Sequence, residues 1–417
     1  MAGRVRKTSG PATAKRLDAD LLVVGGGLIG SSLALAAAGV GLEVVVVERI
    51  APDESTRPAF DGRVSSLAYG SQALYRVLGV WDRMAPEASP ILDIRVADGA
   101  SPLFLHFDHR EVGERPFGFM VENRFIRLAL RHGMAETPAI RYLAPAAVRQ
   151  LRREVMGVVA VLGDGLEIRA PLVAAADGRA SMVRHQAGIR SLGWHYRQTA
   201  IVATLTHERP HQGVAKEHFL PAGPFALLPM TENRSAMVWT EPEARAPAYV
   251  GLDDATFLAE IETRAGDHLG RLGLVGPRWS YPLGLQNAER YIDRRLVLVG
   301  DAAHAMHPIA GQGLNLGLRD VGWLVEILAE RARLGLDIGA ADGLGRYQRR
   351  RRWDALTMLL MTDGLTRLFS NDLPPLRLAR DLGLGVVDRL GPAKRFFERR
   401  ASAMTGDLPK LIRGQAI

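Results

Sequence analysis

The sequence contains no cysteine. That excludes disulfides, thiolate catalysis and thiolate-ligated metal, and it suits a cytoplasmic protein. Aromatic residues make up only 6% of the chain, and no basic stretch is interleaved with them in the manner of a nucleic-acid groove. Long hydrophobic runs are scarce as well. Residues 21–42 are nearly uncharged, and Gly26 and Gly30 fit a G-x-x-x-G spacing, but three consecutive glycines and a βαβ periodicity exclude a membrane span. The first 17 residues carry Arg4, Arg6, Lys7, Lys15 and Arg16, no acid, and none of the apolar core of a secretory signal. They read as a basic disordered tail, with a transit peptide as the alternative, although the segment is short and shows no clear amphipathic pattern.

What is present is ordinary for a soluble enzyme of two or three packed units: 417 residues, 47% hydrophobic and 24% charged, with a formal net charge of +8. Much of the excess is arginine. A second basic cluster, Arg349–Arg352, falls in a helical region and reads as a solvated face, or as an attraction to anionic lipid headgroups.

The chain is organised around residues 20–48. Leu21–Val24 reads as a buried strand leading into Gly25-Gly26-Gly27-Leu28-Ile29-Gly30, a G-x-G-x-x-G turn, then a helix to about Ala38 and a second strand, Val44–Val47, closed by Glu48 and Arg49. In such a turn Gly25 permits the tight bend, Gly27 lets a pyrophosphate approach the backbone, and Gly30 allows helix to pack on strand. The helix N-terminus offers N–H groups to phosphates. Glu48, 18 residues after Gly30, is placed to accept from an adenosine ribose and favours a free 2′-hydroxyl, as in FAD or NAD.

Further along, Asp61–Ala68 is expected to open a helix running to about Leu78, with Arg63 either near a phosphate or flavin edge or on the surface. Residues 91–120 read as strands and turns, with His106, Asp108 and His109 as loop polars. Val121–Arg124 leads a helix through about His132, and residues 140–174 alternate as a β-meander. Leu172–Ala176 reads as a strand ending on Asp177-Gly178, where Asp177 faces a ligand or caps a helix. Residues 195–285 read as an antiparallel sheet with one helix near Asp254–Ala265. Arg295–Val299 is a strand ending on Gly300-Asp301. His304 and His307 follow and are expected to pack or bond to backbone, with no metal. Gly311–Asn315 then opens a helix through about Arg333.

Together the G-x-G-x-x-G turn, Asp177-Gly178 and Gly300-Asp301 resemble the signature set of single-component FAD-dependent aromatic hydroxylases. The segments Glu217–Met230 and Gly300–Gly317 resemble, more narrowly, the ubiquinone-biosynthesis hydroxylases of the UbiH type, and the likeness runs from about Asp18 to the C-terminus. This implies that Gly25, Gly27, Leu28, Ile29, Gly30, Glu48 and Arg49 hold the ADP half of FAD. Gly300 and Asp301 would bind the ribityl chain, with His307, Pro308, Gly311, Gln312, Gly313, Leu314 and Asn315 lining the isoalloxazine. Asp177 and Gly178 would support FAD and the transient approach of NADH or NADPH, Arg63 would lie near the cofactor, and Asn123 and Arg124 compete for one further contact. The implied reaction is NAD(P)H- and O2-dependent hydroxylation, through a flavin hydroperoxide, of a polyprenylated phenol. No side-chain nucleophile is needed, because the cofactor carries the hard step.

The expected architecture is α/β. A discontinuous Rossmann-like FAD-binding domain (18–90, 120–190 and 286–340) carries an inserted antiparallel-sheet substrate domain (91–119 and 191–285) and a helical C-terminal region (341–417) behind the tail at 1–17. The enzyme is expected in the cytoplasm, peripheral at the inner face of the membrane and in contact with a biosynthetic assembly. Two alternatives stand beside it: a hydroxylase of a soluble aromatic acid, and a non-catalytic FAD-binding scaffold. A flavin halogenase is disfavoured, since none of the six tryptophans forms a W-x-W pair, and a plain NAD dehydrogenase leaves Gly300-Asp301 unexplained.

Overall fold

A computed structural model describes residues 15–59, 61–99, 104–111, 113, 115–307, 311–369 and 406–417. It is mixed α/β. Leu21–Val24 and Val44–Val47 are buried along their whole length, as continuous apolar strands are when both sheet faces are covered. They pair in parallel, and the sheet grows to six strands in the order Ile292–Asp293, Leu296–Leu298, Leu172–Ala175, Leu21–Val24, Val44–Val47, Ile140–Leu143. Only the first, edge strand is antiparallel to its neighbour. Helices Leu28–Ala38 and Gly313–Arg333 pack on each other, and both belong to the main core.

An eight-stranded sheet runs His304–Ala305, Leu272–Ala288, Ser191–His207, Arg234–Pro242, Gly223–Met230, Val214–Leu220, Asp93–Asp98, Phe104–Asp108. One of its faces packs on helix Asp254–Ala265 through Phe257 and Ile261, around Trp239. The opposite face packs on Ile91, Met120 and Phe369. Among the described residues no helix is long and apolar enough to cross a membrane.

Three local expectations are corrected. Val64–Ala68 is a strand, and the helix begins only at Tyr69 and ends at Val77. The segment pairs antiparallel with Gly118–Glu122, a partner far outside any local window, and tertiary pairing overrides helix propensity. The helix led by Val121–Arg124 is present as Asn123–Ala135, with Glu122 at its N-cap position. Arg16–Asp18, at the edge of the expected tail, pairs in parallel with Glu167–Ala170, while residues 1–14 lie outside the described residues. His106 and Asp108 are strand residues, paired with Asp93 and Arg110 respectively.

The basic cluster at 349–352 is not a uniform face. Arg349 and Arg352 are exposed, but Arg351 is buried and Arg350 lies over the Trp323 ring at 3.9 Å.

Candidate active site

The carboxyl ends of Leu21–Val24, Val44–Val47, Leu172–Ala175 and Leu296–Leu298 converge on one groove, where ligands of doubly wound sheets gather. At the first, Gly25 has φ +104°, and a Cβ there would collide with the Ala176 carbonyl. A Cβ at Gly30 would overlap the Gly25 carbonyl oxygen, so only glycine lets the helix approach this closely. Gly27 is different: nothing lies within 4 Å of its absent Cβ, and the space opens over a helix start that carries no side-chain cap and no acid in its first turn. That is the environment an anionic pyrophosphate needs. Leu28 and Ile29 begin this helix, and Ile29 lies against Gly300 and Gly317.

Glu48 accepts at 2.7 Å from the Gly26 N–H through one oxygen and at 2.7 Å from Ile50 N–H through the other, which fixes the carboxylate beside the glycine turn. Arg49 is exposed. Asp177 accepts from Val183 N–H at 3.1 Å through Oδ2, while its buried Oδ1 has no partner. An orphaned buried acceptor at a strand end invites a ligand. Gly178 follows with φ +80°.

Gly300, with φ +58°, donates at 2.9 Å to Asp320, which also takes Arg351 Nε at 2.6 Å and His304 Nε2 at 2.7 Å. Asp301 follows and is exposed. Surrounding protein raises its carboxyl above the ordinary carboxylate value, against the pull of His304, Arg63 and Arg179, and solvent in the groove limits that rise.

Arg63 pairs with Asp61 at 2.8 Å and sits 5.5 Å from the Tyr281 ring centre. Asp61 also binds Arg127, and the two guanidiniums hold its carboxyl below the usual value in spite of burial. Asn123 is buried and accepts from Ser65 Oγ at 2.6 Å, tying helix to strand, whereas Arg124 pairs with Glu122 at 2.7 Å.

On the far wall, Gly311 has φ +61°, and a Cβ there would press on Ser66. Pro308 lies outside the described residues. Gln312 is buried, Leu314 is partly buried, and Gly313 faces open space. Asn315 turns inward: it accepts from Ala68 N–H at 3.0 Å and Ser71 Oγ at 2.7 Å, and donates to the Ser66 carbonyl at 2.9 Å. Its side chain therefore joins the wall together rather than lining the groove.

His307 is fully buried, edge-on to Tyr196 with ring centres 5.1 Å apart, and burial pushes its imidazole down to about 4. It is neutral at physiological pH. Tyr196 donates at 2.8 Å to Asp363 on helix Ala341–Phe369.

Sequence reasoning missed Tyr196, Asp320, Arg351 and Arg127, which bear on the groove only through folding. It also passed over the buried Arg184, which bonds the Ala302 and Arg179 carbonyls and so joins the Asp177 turn to the Gly300 turn. A cavity of about 370 Å3 lined by Arg95, His211, Lys216 and His268 opens on the other face of the large sheet and is separate from this groove.

The open Gly27 start, the unpaired Asp177 oxygen and the exposed Asp301 fit a dinucleotide laid along the groove. Comparison with known proteins agrees. A family model described as an FAD binding domain matches residues 18–359. The chain is similar to the ubiquinone hydroxylase UbiL of Rhodospirillum rubrum, 52% identical over 99% of this chain and 97% of the relative. It is also similar to the 3-demethoxyubiquinol 3-hydroxylase of Escherichia coli, 35% identical over 90% of this chain and 96% of that one. Among solved structures, p-nitrophenol 4-monooxygenase PnpA from Pseudomonas putida shares the fold with a TM-score of 0.78 at 18% identity, covering 94% of this chain and 99% of that chain.

Proposed function

The chain belongs to the FAD-dependent monooxygenase family that includes the ubiquinone hydroxylases, and from that premise we propose that it hydroxylates the aromatic ring of a polyprenylated phenol in ubiquinone biosynthesis. FAD is its cofactor, and NADH or NADPH is the reductant usual in the family. Gly25, Gly27, Gly30 and Glu48 would hold the ADP half, Asp177 and Asp301 the middle, and Gly311–Leu314 the flavin end. When bound, FAD supplies the activation of O2 for transfer to the ring. The protein's share is to orient the two molecules and keep water out.

The observation that carries the substrate class is an apolar cluster on the sheet face beside the groove, whose Val64, Val96, Leu228 and Leu365 are only partly buried. Val64 belongs to it, and two residues on, Ser66 meets Gly311 and Asn315. The strand therefore borders both the cluster and the groove. Val64, Val96, Leu228 and Leu365 leave apolar surface partly open over the buried Met120 and Phe369, a surface suited to a ring that carries a hydrocarbon tail. This supports reading the large sheet, with residues 91–119 and 191–285, as the substrate domain. A tailed phenol is drawn from a bilayer. Arg349 and Arg352, exposed beside the 72%-exposed Trp353, would favour an anionic membrane surface and the assembly gathered there.

The test is the visible spectrum of the purified protein, followed by anaerobic addition of NADH or NADPH with and without 2-geranylphenol. Flavin bands that bleach faster with the phenol present are expected. A protein that cannot be loaded with FAD would overturn the reading, and loaded flavin that neither reductant bleaches would make the chain a scaffold.

A further inference from the structure

Strand periodicity assigns each side chain of the large sheet to one of its two faces. Along Val214–Leu220 the pairing is unbroken on both sides, with Glu217 opposite Ala226 on one neighbour and Val96 on the other. Ala215 and Phe219 therefore share a face with Glu217, as do Ile94, Val96, Leu105, Phe107 and Leu228 on adjacent strands. Those seven apolar residues are the sheet side of the apolar cluster described above, and Ile94, Val96 and Leu228 among them are only partly buried. Phe369 stacks on Phe219 at 4.2 Å, one pleat from Glu217.

Glu217 is thus a carboxylate set into an apolar wall. It is partly buried and has no hydrogen-bond or ion-pair partner among the described residues. The charged groups around it are occupied or face elsewhere. Asp98, at the Phe219 end of the same face, has a partner of its own. Arg63 is held by Asp61, Glu122 by Arg124 and Arg234, and Asp363 by Arg367. Arg95, Lys216 and His218 alternate onto the opposite face. A structural carboxylate would have a cation or N–H donors; among the described residues this one has neither.

We infer that Glu217 is the base that accepts the phenolic proton of the substrate as the ring lies between this wall and the FAD groove. The inference rests on the phenol reading given above and names the residue that would act on it. The phenolic O–H bond breaks as an O–H bond forms on the Glu217 carboxylate, and no electrons change hands. The ring gains electron density at the carbons ortho and para to its oxygen, which are the positions an electrophilic oxygen attacks. The proton returns to the phenolic oxygen as product leaves. Burial pushes the Glu217 carboxyl up to about 7, near the value at which a base is both available and strong enough to act.

Glu217→Gln keeps the shape of the side chain and removes its basicity. With 2-geranylphenol as probe, kcat is expected to fall about 10²-fold, and the acidic limb near pH 7 in the wild-type kcat/KM profile should vanish while flavin content is kept. A variant that retains that limb overturns the inference. Should Glu217→Gln fail to hold flavin, Glu217→Asp gives the same test: the limb must move, and an unmoved limb overturns the inference. Failure of the underlying reading looks different, since wild-type flavin reduction would then ignore the phenol altogether.

Discussion

Arg351 donates from Nε to Asp320 across 2.6 Å, with both side chains out of solvent, and Asp320 in turn holds the Gly300 N–H. An arginine from the Ala341–Phe369 helix thereby fixes the turn that presents Asp301 to the groove. Breaking one side of a buried pair leaves an uncompensated charge, at a cost of about 3–5 kcal/mol. Arg351→Ala should therefore lower the unfolding free energy by that order and lose flavin. Arg349→Ala, two positions away and exposed, should stay within about 0.5 kcal/mol of wild type. Denaturant titration of both variants checks this, and equal effects would contradict the burial assignment.

The glycine turn separates folding from binding. Gly30→Ala places a methyl against the Gly25 carbonyl and should compromise the folded state. Gly27→Ala meets no protein atom and sits at an ordinary φ of −68°. It should melt close to wild type yet bind FAD more weakly, because the methyl occupies the space left for the pyrophosphate. Melting curves with flavin titration distinguish the two, and full FAD affinity in Gly27→Ala would remove the pyrophosphate from that position.

Asp301→Ala should purify folded and depleted of flavin, as the side chain is exposed and has no hydrogen-bond partner among the described residues. The ratio of visible to ultraviolet absorbance measures the loss. Full flavin content would sink the assignment of Asp301 to the ribityl chain.

His307 makes the enzyme acid-sensitive. Its imidazole takes a proton near 4 in the folded protein and near 6.5 when unfolded. Between those values the unfolded chain binds more protons, so stability is full above about pH 6.5 and declines as pH falls toward 4. The contribution is at most about 3 kcal/mol. His307→Phe, which keeps a ring against Tyr196, should flatten the pH dependence of the melting temperature in this window. An unchanged slope would assign the acid sensitivity to other groups.

The nucleotide fold was legible because its signals are local. Glycines at fixed offsets, a strand ending on Asp177 and a strand ending on Gly300 each declare themselves within about ten residues. What stayed hidden depends on partners distant in sequence. Val64–Ala68 carries two serines and gives no strand signal until Gly118–Glu122 pairs with it. Arg351 reads as one of four surface arginines until Asp320 is seen beneath it. Asn315 sat inside a recognisable motif, yet its amide ties strand to helix instead of reaching the groove. Glu217 heads the Glu217–Met230 motif with no role legible there, because a carboxylate on a strand gains meaning only when its face proves apolar.

The bond from the Ala68 N–H to the Asn315 side chain joins residues 247 apart. On the ribosome, where about 5–20 residues are added each second, the Gly25 turn waits roughly 15 to 60 s before Asn315 has been made. Through that interval the half-built nucleotide site has one wall, and its apolar strands lack their last neighbours. Cofactor capture is therefore a late event in the life of the polypeptide. Flavin supply during growth should govern how much of the protein survives as folded enzyme, and not merely how much of it is active.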